Sequence, residues 1–163
     1  MSAPQLLIDL AHPWATLYGD HQPVSVAVTY LHFGGLLLAG GSAVAVDRDT
    51  LRADRHNVVA RERALDAIHD VHRWVLVGLA LTFVSGALLF ASDVETYWGA
   101  AVFWIKMALV VLLLANGAWL RSTERRATPE DIRLWARLRL SAGTSLVLWC
   151  AILLFSILVT TAA

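Results

Sequence analysis

Four stretches of mainly apolar residues, at about 24–46, 74–91, 100–120 and 140–162, constrain this chain more than any other feature. The hydrocarbon core of a bilayer is ~30 Å thick, and a helix rising 1.5 Å per residue crosses it in about 20 residues. Lys106 interrupts the third stretch and the second is the shortest, yet each is long enough with modest tilt. Composition agrees. The 163 residues are 58% apolar and 16% charged, where soluble domains run at about 45–50% and 25%. The expected fold class is all-α: an integral membrane, up-down-up-down four-helix bundle forming a single membrane domain, 1–163, with lipid as its main partner.

Arginine placement orients it. Arg48, Arg52, Arg55, Arg61, Arg63 and Arg73 fall in the first connection, 47–73, and Arg121, Arg125, Arg126, Arg133, Arg137 and Arg139 in the third, 121–139. With Lys106 these are all 13 Lys and Arg residues. By the positive-inside rule both arginine-rich loops face the cytoplasm of a bacterial inner membrane and both termini lie outside. Tyr18, Tyr30, Tyr97, Trp98 and Trp104 then mark the outer boundary, and Trp74, Trp119 and Trp135 the inner one. Residues 1–23 carry no basic leader region. They read as a short outer interfacial helix, or two, with Leu6, Leu10, Trp14 and Leu17 forming an apolar stripe that Pro13 breaks.

The inner loops read as helical. His56–Arg73 holds no Gly or Pro and runs into the second span, while Thr128-Pro129-Glu130-Asp131 offers an N-cap, a first-turn proline and first-turn acids for the fourth helix. Alternating charges such as Arg61-Glu62-Arg63 suggest a solvated helix face. Two readings of this charged region stand: a soluble collar that sets topology, or a phospholipid-headgroup or partner-docking surface.

Polar groups inside a span are functional candidates by default. Ser25, Thr29, His32, Gly35, Ala39 and Ala43 recur at spacings of three and four, so a small-residue seam places His32 toward neighbouring helices. His32 lies about 12 Å below Val24, and Lys106 about 9 Å into its own span from the same side. Ser85, Ser92 and Ser156 fall in that outer half, capped by Asp93 and Glu95. A polar pocket around His32 and Lys106 is one expectation. The other has Lys106 snorkelling to Asp93 or Glu95 and His32 hydrogen-bonding a neighbouring helix. Asn116 is placed to hydrogen-bond another helix. His69 and His72, three residues apart, could hold a metal but make only two ligands. The single Cys150 excludes a disulfide framework, and zero net charge argues against a nucleic-acid partner.

Small four-helix membrane proteins with buried histidines often hold haem b. His32 and His72 cannot share one iron, because His32 stands roughly 21 Å above the inner end of its span, where His72 lies. If His32 is an axial ligand, its partner is His12, His21, Met107 or none from the protein, and Lys106 suits a propionate.

Two segments are also similar to a known set. Leu31-His32-Phe33-Gly34-Gly35-Leu36 through Asp47-Arg48 resembles the first helix of small bacterial inner-membrane proteins. Ser85-Gly86-Ala87-Leu88-Leu89-Phe90, Phe103-Trp104-Ile105-Lys106-Met107-Ala108-Leu109 and Asn116 resemble the next two. The set is similar to the copper-resistance-D-like membrane proteins and the HemJ-type protoporphyrinogen oxidases. The resemblance implies a functional histidine at His32, a functional lysine at Lys106, and haem b. The oxidase-like proteins tend to carry a histidine where this chain has Asn116, and Asp47-Arg48-Asp49 replaces an apolar-flanked arginine. It therefore implies a haem-associated or redox membrane protein rather than protoporphyrinogen oxidation itself. Two other classes remain open: a non-catalytic accessory or scaffold subunit of a larger membrane complex or homo-oligomer, and outer-face copper or metal handling by His12, His21 and His32.

Overall fold

The computed structural model describes residues 3–54, 56–126, 128 and 130–162, with side chains through Val159. Six helices account for nearly all of them: α1 (Gln5–Asp20), α2 (Gln22–Arg52), α3 (Val58–Ser92), α4 (Val94–Gly99), α5 (Ala101–Glu124) and α6 (Ile132–Ala162). The described residues include no strand. The long helices α2, α3, α5 and α6 alternate in direction and are apolar enough to cross a bilayer, so the chain is a multi-pass membrane protein. Their outward faces carry large apolar side chains. Tyr30, Leu37 and Phe83 are each more than three-quarters exposed, a distribution suited to lipid and not to water.

Helix α3 is 35 residues long, about 52 Å at 1.5 Å per residue, so it extends well beyond a ~30 Å hydrocarbon core. It starts where Asn57 accepts a hydrogen bond from the Ala60 amide at 3.2 Å, an N-cap, and continues unbroken into the second span, as expected from the absence of Gly and Pro between His56 and Arg73. Helix α6 starts later than its sequence suggests. Asp131 is the cap, its carboxylate accepting the Arg133 and Leu134 amides at 2.9 and 3.0 Å. Thr128 instead precedes α6 in a turn, its carbonyl accepting the Asp131 amide, and Pro129 lies outside the described residues.

The spanning helices pack in the order α3–α2–α6–α5, and α3 and α5 barely meet. The core lies between α2, α5 and α6, built on Ala39, Leu113, Trp149 and Ile152. A second cluster at the arginine-rich end joins Ala64, Trp135 and Leu138.

The chain enters through one helix, not two: α1 runs straight through Pro13. It docks on α3, where the Trp14 indole donates to the Leu88 carbonyl at 2.8 Å. Leu6, Leu10 and Leu17 point away from the bundle. Between α3 and α5, the connection between the second and third spans folds as the short helix α4. Asp93 caps it by accepting the Thr96 amide at 3.2 Å. Phe90 stacks on Phe103 with centroids 5.3 Å apart, and Trp98 meets Trp104 edge-on at 5.2 Å. Among these rings Tyr97 is partly buried, which, with nearby Asp93 and Tyr18, raises its phenol above the ordinary range.

Candidate functional site

A close approach of two helices sets the candidate site. At the α2–α3 crossing, a Cβ built on Gly35 would fall 2.6 Å from Thr82 Oγ1 and 2.9 Å from the Gly78 carbonyl. One on Gly78 would fall 2.5 Å from the Ala39 amide nitrogen. No larger residue fits without separating the helices, so glycine at both positions lets the backbones approach. This crossing contains Gly35 and Ala39 of the seam expected from the sequence.

His32 lies one turn from Gly35 on the same face, and the crossing presses it onto α3. A Cβ on Gly86 would sit 3.2 Å from His32 Cε1, so the absence of a side chain there makes room for the ring. His32 Nδ1 and Ser85 Oγ are 3.1 Å apart. Ser85 is 2% exposed, and its hydroxyl donates to the Leu81 carbonyl at 2.6 Å. A hydroxyl has one proton. With that proton directed at Leu81, Ser85 Oγ accepts from Nδ1–H, and the Thr82 carbonyl lies against the same ring as a further acceptor. By this hydrogen-bond assignment the lone pair is on Nε2. Lys106 of α5 is near enough to act electrostatically on the imidazole and is itself half-buried.

His32 and Ser85 therefore meet across the α2–α3 crossing, with the Lys106 charge acting on the imidazole from α5. The other candidates do not join them as one pocket. Ser156 donates to the Ile152 carbonyl at 2.7 Å and Ser92 to the Leu89 carbonyl at 2.7 Å, so both hydroxyl protons are used within their own helices. Asp93 caps α4, and Glu95 is exposed. Among the described residues neither forms an ion pair with Lys106. Met107 follows Lys106 on α5, half-buried. His12 lies with Asp93 and Glu95 along a small cleft of about 150 Å³ between α1 and the α3–α4 corner. His21 is exposed at the α1–α2 joint. No three His, Cys, Asp or Glu side chains among the described residues are grouped to share a metal ion. His69 pairs with Glu124 across to α5 at 3.5 Å, and His72 lies one turn along α3. Cys150 is exposed on the lipid-facing surface of α6.

The arginine-rich end holds polar groups that the sequence reading assigned to a solvated collar. Arg61 is 4% exposed and Asp47 4%, so neither is solvated. Asp47 lies against Ser145 of α6. Arg139 reaches back to α2, its guanidinium donating to the Thr50 and Ala53 carbonyls at 3.3 and 3.0 Å. That satisfies carbonyls the α2 C-terminus would otherwise leave open. Arg61 Nε and Nη1, Asp47 Oδ2 and Trp135 Nε1 are buried without a hydrogen-bond partner among the described residues. A signal for Arg61 was present: it is three residues before Ala64 and seven before Ile68, on the apolar face of α3. The neighbouring Glu62 and Arg63 are exposed, which is why the alternating charges misled.

No protein-family model, curated protein or solved structure matches the chain.

Proposed function

We propose that this chain is a bacterial inner-membrane protein, both termini outside, that binds haem b in its outer half and serves a redox or haem-associated role. The observation that carries the reading is the contact between His32 Nδ1 and Ser85 Oγ, 3.1 Å apart, beside a Ser85 hydroxyl that donates to the Leu81 carbonyl. With Ser85 Oγ accepting a hydrogen bond from Nδ1–H, Nε2 would be left to coordinate a metal. Histidine ligands are held in this way, the far nitrogen donating to a carbonyl or side-chain oxygen that sets the ring's orientation.

His32 would hold the group as its one protein ligand. His32 is oriented by Ser85 and given room by Gly86, and Lys106 is a cation within electrostatic range of it, suited to a propionate. Bound there, haem would supply one-electron chemistry. The protein's part is to hold the imidazole, balance the carboxylates and exclude water. His12 belongs to a different cleft, which makes His32 the sole histidine ligand in this reading.

The experiment is a reduced-minus-oxidised absorption spectrum of the detergent-purified protein from haem-supplied cells, with pyridine haemochrome quantification. A near-stoichiometric b-type spectrum that His32→Ala abolishes or shifts is the expected result. A colourless preparation overturns the reading and favours an accessory subunit of a larger membrane complex, for which co-purifying partners are the readout. Copper or zinc well above background in a haem-free preparation would favour outer-face metal handling instead.

A further inference from the structure

The thin packing between α3 and α5 leaves a cleft of about 500 Å³ at the arginine-rich end. Its inner wall is cationic: Arg73 from α3, Arg121 from α5 and Arg125 just beyond the α5 C-terminus, with His69 and His72 beside them. Among the described residues Glu124 is the one acid in the lining, and it is engaged with His69 at 3.5 Å. The charges converge. His72 feels Arg121, Glu124, Arg125 and His69 together, and its Nε2 is buried with no hydrogen-bond partner among the described residues. The wall deeper in the membrane is apolar and lipid-facing, formed by Leu76 and Val77 one turn further along α3. Trp74 and Trp119 bracket this level on the two helices, the depth at which indole rings meet headgroups. Arg73 is stacked 5.0 Å over the Trp74 ring, which limits how far its guanidinium can swing away.

A cationic rim at the inner surface beside an apolar wall deeper in the membrane matches one occupant in both halves. We infer that the α3–α5 cleft binds an anionic phospholipid, its phosphate held by Arg73, Arg121 and Arg125 with His72 as a further donor, and an acyl chain lying along Leu76 and Val77. A free phosphate would satisfy the rim alone. A zwitterionic lipid would satisfy the wall but bring an ammonium group to three guanidinium groups. The collar that sets topology would thus also contain a lipid site, filled from the leaflet that carries the anionic headgroups.

The test is native mass spectrometry of the full chain in detergent, titrated separately with phosphatidylglycerol, phosphatidylcholine and inorganic phosphate. The expected result is retention of phosphatidylglycerol at least about tenfold better than phosphatidylcholine, with inorganic phosphate neither retained nor competing at equal concentration. Each arginine neutralised should weaken retention by about fivefold. Arg125→Gln, an exposed position with little folding role, is read first, then Arg73→Gln and Arg121→Gln. Arg63→Gln, exposed and outside the cleft lining, is the control and should bind as wild type. Equal retention of the two lipids, or an Arg125→Gln variant of wild-type helicity that still binds fully, overturns the inference. Competition by inorganic phosphate also overturns it and identifies a soluble phosphate ligand at the same rim.

Discussion

Asn116 and Ser141 clasp α5 to α6. The Asn116 amide donates to the Ser141 carbonyl at 3.0 Å, and the Ser141 hydroxyl donates back to Asn116 Oδ1 at 3.1 Å. Both residues are buried. Interhelical hydrogen bonds in membranes contribute about 0.6–2 kcal/mol. Asn116→Ala should therefore destabilise the fold by about that amount in a detergent unfolding titration. Ser141→Ala added to it should cost little more, since the two act on one bond pair. Strict additivity of the two variants would show that the pair is not coupled.

The α2–α3 crossing predicts which glycines matter. Gly35→Ala and Gly78→Ala place a methyl group against backbone atoms and should cost about 1–3 kcal/mol. Gly34→Ala, Gly117→Ala and Gly143→Ala meet nothing within 4 Å. They should be neutral or stabilising by up to about 1 kcal/mol through helix propensity. Thermal unfolding of the five variants in one detergent decides it; five similar melting temperatures would refute the close approach.

If His32 holds haem, Ser85→Ala should leave the cofactor bound but weaken it by about 10–100-fold, because the ligand loses the group that orients it. Gly86→Leu should do more, since its side chain would occupy the space of the His32 ring. Haem titration followed in the Soret region measures both. A Ser85→Ala protein with wild-type affinity would remove the orienting role assigned to that hydroxyl.

Topology is open to direct test in a Cys150→Ser background. Single cysteines at Glu95 and Asp20 should react with a membrane-impermeant maleimide in intact cells. Cysteines at Asp49 and Glu130 should react only after permeabilisation, as the arginine count requires. The reverse pattern would invert the protein and move the His32 centre to the cytoplasmic half.

Tyr97 sets a pH dependence at the alkaline edge. Its folded-state pKa is raised above the unfolded value by burial and by Asp93 and Tyr18. Its contribution is therefore fully present below pH ~10 and lost as pH rises through the higher folded-state value. Denaturant titrations from pH 9 upward should show this loss in the wild type and a smaller one in Tyr97→Phe; identical slopes would assign it to other groups.

Linear sequence determined the number of spans, the all-helical class and the grouping of arginines at one end. Each of these follows from hydropathy over a window of about 20 residues or from counting charges, and neither needs a partner helix. It also placed Asn116 at a helix contact and Gly35 and Ala39 on the packing seam, since spacings of three and four define a face. Tertiary structure decided which face meets which. It brought Ser85 and Gly86 to His32, separated His12 into another cleft, and directed the hydroxyls of Ser92 and Ser156 back to their own helices. Burial of Arg61 and Asp47 was likewise settled only by packing, because a local charge pattern does not record whether another helix lies over it. The opening between α3 and α5 is of the same kind: a gap belongs to no single helix, and so no stretch of sequence encodes it alone.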